Sequence, residues 1–71
     1  MLKSVDARGQ SCPIPLMLAR DAYRALQPGD TLEVLVGEPV ARDNVTRFLK
    51  NQKCQPTVSE TAEGWKITIV R

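Results

Sequence analysis

The sequence predicts an α/β two-layer sandwich of order βαβαββ, with two helices on one face of a four-stranded mixed sheet. Three observations predict it. Two segments of helical apolar spacing, one opening at Pro13 and one at Pro39, each follow a short apolar run. A strand–helix–strand unit favours a parallel pair with a right-handed crossover. The chain then closes on two short β-type runs separated by a turn, which can only pair antiparallel.

Leu2 to Ala7 is the first strand, with Leu2 and Val5 as its apolar residues, and Arg8 to Ser11 is a loop. From Pro13 to about Leu26 the chain suits a helix: Ile14, Leu18, Ala22 and Ala25/Leu26 recur at three- and four-residue spacing. Pro15 is compatible because the first helical turn needs no intrahelical donor there. Gln27-Pro28-Gly29-Asp30 stops this helix with both breakers together. Thr31 to Val36 reads as a well-buried strand. Glu38-Pro39 starts a second helix that runs to Asn51 or Gln52, with Ala41, Val45, Phe48, Leu49 and Gln52 as its stripe. Gln55 to Glu60 is a third strand, which Pro56 moves toward a sheet edge or a late start. Thr61 to Gly64 is a turn. Trp65 to Val70 alternates, with Trp65, Ile67 and Ile69 on one face. A single domain over 1–71 accounts for the whole chain.

Composition excludes several functions. Ten basic and eight acidic residues are interspersed without a Lys/Arg block, so the net charge of +2 does not argue for nucleic acid. With only Tyr23, Phe48 and Trp65 as aromatics, a base-stacking cluster is also missing. No charged-then-apolar leader occurs, and no apolar run approaches the ~20 residues of a membrane span. The expected location is the cytoplasm, with no membrane association. In that reducing compartment the two cysteines are expected as thiols, not as a structural disulfide. The chain has no histidine, which removes Cys–His catalysis and any His-containing metal site. No metal and no cofactor are expected.

Cys12 carries the chemistry. It directly precedes Pro13, so it lies at or next to the N-cap of the first helix, where backbone N–H groups are unpaired and the dipole is positive. That setting favours the nucleophilic thiolate. If the first two strands are parallel, both helices start at one sheet end. The loop carrying Arg8, Gly9 and Cys12 would then meet Gly37, Glu38 and Arg42, with two arginines facing one region. Glu38 would oppose the effect, so a modestly depressed thiol pKa is expected. Leu16 and Met17 are candidates for an apolar rim around the thiol. Cys54, in a polar stretch at the far end of the second helix, is read as structural. Arg20, Arg24, Arg42 and Arg47 are read as solvated helix faces, with a docking surface for an acidic partner, or for tRNA held by that partner, as the alternative.

Asp6-Ala7-Arg8-Gly9 followed by Cys12-Pro13-x-Pro15 resembles the signature of the TusA/SirA/YedF family of small sulfur-carrier proteins. The similarity continues through the Pro28-Gly29-Asp30 turn, the second strand and helix, and the terminal strand pair. The resemblance implies a βαβαββ fold and a persulfide carried on Cys12. It implies that Pro13 and Pro15 rigidify the helix start while Asp6 and Gly9 shape the preceding loop. It also implies two partner classes: a sulfur-donor protein (cysteine desulfurase, rhodanese or DsrE-like) and a sulfur-acceptor protein. Gly37-Glu38-Pro39-Val40-Ala41 departs from the Asp-Asp-Pro-Ala-like segment of tRNA-thiolation members. Asn44-Val45-Thr46-Arg47-Phe48 is closer to the YedF-like, selenium-associated subgroup. The alternatives are a selenium-handling relative, or a non-catalytic regulatory or RNA/protein-binding module whose fold resembles the C-terminal domain of translation initiation factor three.

Overall fold

The computed structural model describes residues 2–10 and 14–71; Met1, Ser11, Cys12 and Pro13 lie outside the described residues. The elements are β1 (Leu2–Asp6), α1 (Ile14–Ala25), β2 (Thr31–Val36), α2 (Pro39–Asn51), β3 (Thr57–Thr61) and β4 (Gly64–Val70). The sheet order is β1-β2-β4-β3, with β1 parallel to β2 and both other pairs antiparallel. This is the predicted βαβαββ sandwich.

Alternation along the central strand decides which face is covered. Leu32, Val34 and Val36 point into the core, where Ile69, Ile67 and Trp65 lie opposite them on β4. Ala19, Ala22 and Leu26 from the α1 segment and Ala41, Val45 and Leu49 from α2 close that core from one side. Burying an aliphatic side chain such as Leu32, Leu49 or Ile67 contributes roughly 1.5–3 kcal/mol. The opposite face carries Thr31, Glu33 and Leu35 of β2 beside Val70, Thr68 and Lys66 of β4, a mixed set in which Val70 is exposed.

Two faces differ from expectation. In α1 the buried set is Pro15, Ala19 and Ala22, continued by Leu26, while Ile14 and Leu18 are 43% and 37% exposed and Ala25 is exposed. The apolar stripe of α1 is wider than its contact with the sheet. Its small residues let the helix approach closely, and the larger side chains remain on the flank. In α2 the stripe ends at Leu49, with Phe48 partly buried and Gln52 exposed.

The ends of α2 and of the hairpin explain further residues. Cys54 N–H donates to Leu49 O (3.2 Å) and Lys53 N–H to Lys50 O (3.0 Å), the bonding pattern of a Schellman C-cap. Lys53 holds the left-handed position (φ 64°) usually given to glycine. β3 begins at Thr57, later than predicted, directly after Pro56, which has no N–H to pair. The hairpin turn shortens to Ala62-Glu63, because Thr61 and Gly64 are a paired strand position. Gly64 has φ 149°, and a Cβ there would overlap the Val36 carbonyl oxygen and lie 2.9 Å from Gly37 Cα. Gly29 (φ 93°) follows Pro28 in a turn closed by Asp30 N–H donating to Gln27 O at 3.0 Å; its Cβ position is open.

Gly64→Ala is therefore expected to cost more than about 2 kcal/mol in denaturant unfolding, and Gly29→Ala about 1 kcal/mol, backbone strain alone. Lys53→Gly is expected to raise stability by roughly 0.5–1 kcal/mol in the same assay, since the C-cap geometry is kept and its strain removed.

Candidate functional site

Parallel pairing of β1 with β2 sends both chain segments out of the same sheet end, and the hairpin between β3 and β4 turns at that end too. Three connections converge there. A Cβ at Gly37 would lie 3.8 Å from Glu63 O, 3.8 Å from Gly9 N and 3.9 Å from Arg8 Cα. The β1–α1 connection is held at its start by Ala7, buried, whose N–H donates to Leu35 O at 2.7 Å. Gln10 N–H then turns back to Ala7 O at 3.3 Å, around Gly9 with φ 81°.

A charged network fixes this connection. Arg8 Nε and Nη2 donate to Asp6 Oδ1 and Oδ2 at 2.9 and 2.8 Å, a bidentate fork. Asp6 Oδ1 also accepts the Arg8 backbone N–H at 3.0 Å. The remaining arm, Arg8 Nη1, reaches Glu63 Oε2 at 2.6 Å across the sheet end. The Arg8 hydrogen bonds lower the Asp6 carboxyl from 3.8 to about 2, and the same bonds raise the Arg8 guanidinium further. Glu63 had been read only as part of a turn. Its contact spans 55 residues of sequence, and no local pattern announces it.

The other predicted site residues divide. Cys12 and Pro13 lie outside the described residues. Pro15 is a fully buried core side chain in the first turn of α1. Glu38 is the N-cap residue of α2, with extended backbone and no side-chain capping bond, followed by Pro39. Arg42 lies in the first turn of α2. Its Nε donates to Asp43 Oδ1 at 3.0 Å, and its guanidinium lies 4.7 Å from the Trp65 ring centroid. There it lines a groove of about 390 Å³ between α2 and β3, with Thr46, Val58 and Glu60. Of the candidate apolar rim, Leu16 is half-buried and Met17 exposed.

Cys54 is placed elsewhere. It packs partly buried against the core, and its thiol faces the Tyr23 hydroxyl at 3.8 Å. Tyr23 also meets Phe48 edge-on (6.0 Å) and the Arg71 guanidinium (4.9 Å). The Cys54 thiol and the surrounding packing raise the Tyr23 phenol. Tyr23 is nine residues beyond Ile14, about 13 Å along the helix at 1.5 Å per residue. Among the described residues no acidic and cysteine side chains cluster as a metal site, and no helix is long and apolar enough to cross a membrane.

The sequence model described as Sulfurtransferase TusA matches residues 3–71. The chain belongs to the TusA sulfurtransferase family. A TusA-type relative from Methanocaldococcus jannaschii, whose name proposes a sulfur carrier protein, is 31% identical over 89% of this chain and 84% of its own. A Thermotoga maritima protein named in the same way is 32% identical over 94% of this chain and 87% of its own. The crystal structure of a SirA-like protein from Desulfitobacterium hafniense superposes with a TM-score of 0.85 at 32% identity, covering 99% of this chain and 96% of that one.

Asp6 tests the network at this TusA-family sheet end. Its folded-state pKa lies below the unfolded value, so its contribution is complete above about pH 4 and is lost as the pH falls through about 2. Carboxyl NMR titration should find the Asp6 midpoint near 2, and Arg8→Gln should return it to the ordinary aspartate range near 4.

Proposed function

We propose that this protein is a sulfur carrier that takes sulfane sulfur as a persulfide on Cys12 and passes it to a partner protein. One observation carries the reading: the family match spans the Cys12-Pro13-Ile14-Pro15 motif, while the other thiol, Cys54, is packed against Tyr23. Cys12 follows the connection braced by Asp6, Arg8 and Glu63, at the end where α2 also begins.

The chemistry is two thiolate exchanges. The Cys12 thiolate attacks the outer sulfur of a donor persulfide; the donor S–S bond breaks and the donor thiolate leaves. An acceptor thiolate then attacks the outer sulfur on Cys12, and the Cys12 thiolate leaves in turn. Electrons balance within each exchange, so neither a metal nor an organic cofactor takes part. Helix-start N–H groups and the dipole stabilise the thiolate and the persulfide anion. The partners are a donor of the cysteine desulfurase, rhodanese or DsrE-like type and an acceptor protein, with the cytoplasm as the setting. Asp6, Gly9, Pro13 and Pro15 support the cysteine, and Arg8 and Glu38 set the charge around it. Arg42, held by Asp43 and Trp65, serves in partner docking.

Incubation with a cysteine desulfurase and cysteine should add one sulfur mass to the wild type and to Cys54→Ser, and none to Cys12→Ser. If no donor of any of the three types loads the wild type, the carrier reading fails. Salt-dependent RNA binding that survives Cys12→Ser would instead support the binding-module alternative. Loading from a selenium donor in preference to sulfur would assign the selenium-handling role.

A further inference from the structure

We infer that Glu63, in the β3–β4 hairpin, is a positioning residue for the cysteine connection and acts on it through Arg8. The inference rests on the reading of Cys12 as the reacting sulfur.

The hairpin is a fixed point. Its loop has only two residues, and Gly64 sits against the backbone of Val36 and Gly37 with no room for a Cβ. Glu63 therefore projects from a place set by the sheet. The β1–α1 connection, in contrast, leaves the sheet after Ala7, the last backbone bonded to β2. From there to Gln10, two residues before Cys12, the backbone makes one local turn, with Gln10 N–H donating to Ala7 O. Among the described residues, the Arg8–Glu63 contact is the side-chain tie between this connection and the distant strand pair.

The guanidinium is suited to such a tie because its donors form a rigid planar fork. Two arms are committed to Asp6, which itself belongs to β1, so the third arm has a defined direction. Glu63 completes it. The pair is exposed, at 37% for the Arg8 side chain and 72% for Glu63. Exposed pairs add little to global stability. Loss of Glu63 should therefore leave the fold intact and change the connection alone.

A probe that needs no sulfur donor tests this. The rate of Cys12 alkylation by iodoacetamide, in which the thiolate displaces iodide, is followed from pH 6 to 10 by peptide mass spectrometry. Wild type, Glu63→Ala, Arg8→Gln and the double variant are compared, with melting temperature as the control for folding. Among the described residues, Asp6, Arg8 and Glu63 form the charged network on this connection. The worth of one exposed ion pair is enough to shift a local equilibrium about two-fold, so loss of the Arg8 tie in Glu63→Ala is expected to change the rate at pH 7 by about two-fold or more. Its melting temperature should match the wild type. In the Arg8→Gln background the Glu63 substitution should have no effect.

A Glu63→Ala profile superimposed on the wild type overturns the inference. So does a Glu63 effect of equal size with and without Arg8, which would mark a direct field on the thiol. Alkylation proceeds whether or not the protein carries sulfur, so failure of the carrier reading shows only in the loading assay.

Discussion

Because β1 and β2 run parallel, the chain must cross back over the sheet through α1, and every later placement inherits that crossover. Both helices are fed from the same end of the sheet, and both lie on the face where Leu32, Val34 and Val36 point. The antiparallel return of β4 beside β2 brings the β3–β4 hairpin to that end as well. Gly64 completes the arrangement by allowing the hairpin backbone to touch Val36 and Gly37. A single topological choice thus gathers the cysteine connection, the start of α2 and a rigid hairpin within contact distance, from segments more than fifty residues apart in sequence.

The edges of the sheet say where another strand would not add. Lys3 on β1 pairs with Leu32 and Glu60 on β3 pairs with Trp65, so each edge strand carries a charge on the helix-covered side. A strand added at either edge would bring its backbone beside that charge, a recognised defence against edge-to-edge pairing. On the open face, Ser4, Glu33, Thr57, Ser59, Lys66 and Thr68 are suited to water, while Leu2 and Val70, both exposed, flank Thr31. The helix layer leaves Ile14, Met17 and Leu18 of α1 and Val40 of α2 exposed, all in the first turns after the shared sheet end.

Element order, helix starts and strand polarity were legible because each depends on local chemistry: prolines at helix starts, the Pro28-Gly29-Asp30 turn, and the alternation of Trp65, Ile67 and Ile69. The orientation of α1 was not. Ile14 and Leu18 have the greater hydrophobicity, but Pro15, Ala19 and Ala22 have the smaller volume, and close packing of helix on sheet selected size. At the candidate site, the convergence of Gly9 and Gly37 followed from the parallel pair. The side-chain partners did not, because a salt bridge between residues 8 and 63 depends on where a two-residue hairpin ends. Arg42 shows the same limit: its position on α2 was legible, but its contacts with Trp65 and Asp43 were not.

These partners alter the electrostatic expectation for the thiol. The sequence reading has two arginines facing the cysteine connection; Arg8 is held between two carboxylates, and Arg42 contacts Asp43 and Trp65. In the Asp6–Arg8–Glu63 network one guanidinium answers two carboxylates, so that network supplies no net positive charge to favour a thiolate. The helix start expected at Pro13 would supply a fixed and modest effect. Modest activation suits a carrier better than strong activation. In the proposed reaction Cys12 attacks a persulfide in one exchange and leaves in the next, and lowering a thiol's pKa improves it as a leaving group while weakening it as a nucleophile. A thiol with a pKa near ambient pH would serve both directions, so that the direction of transfer would be left to the donor and acceptor.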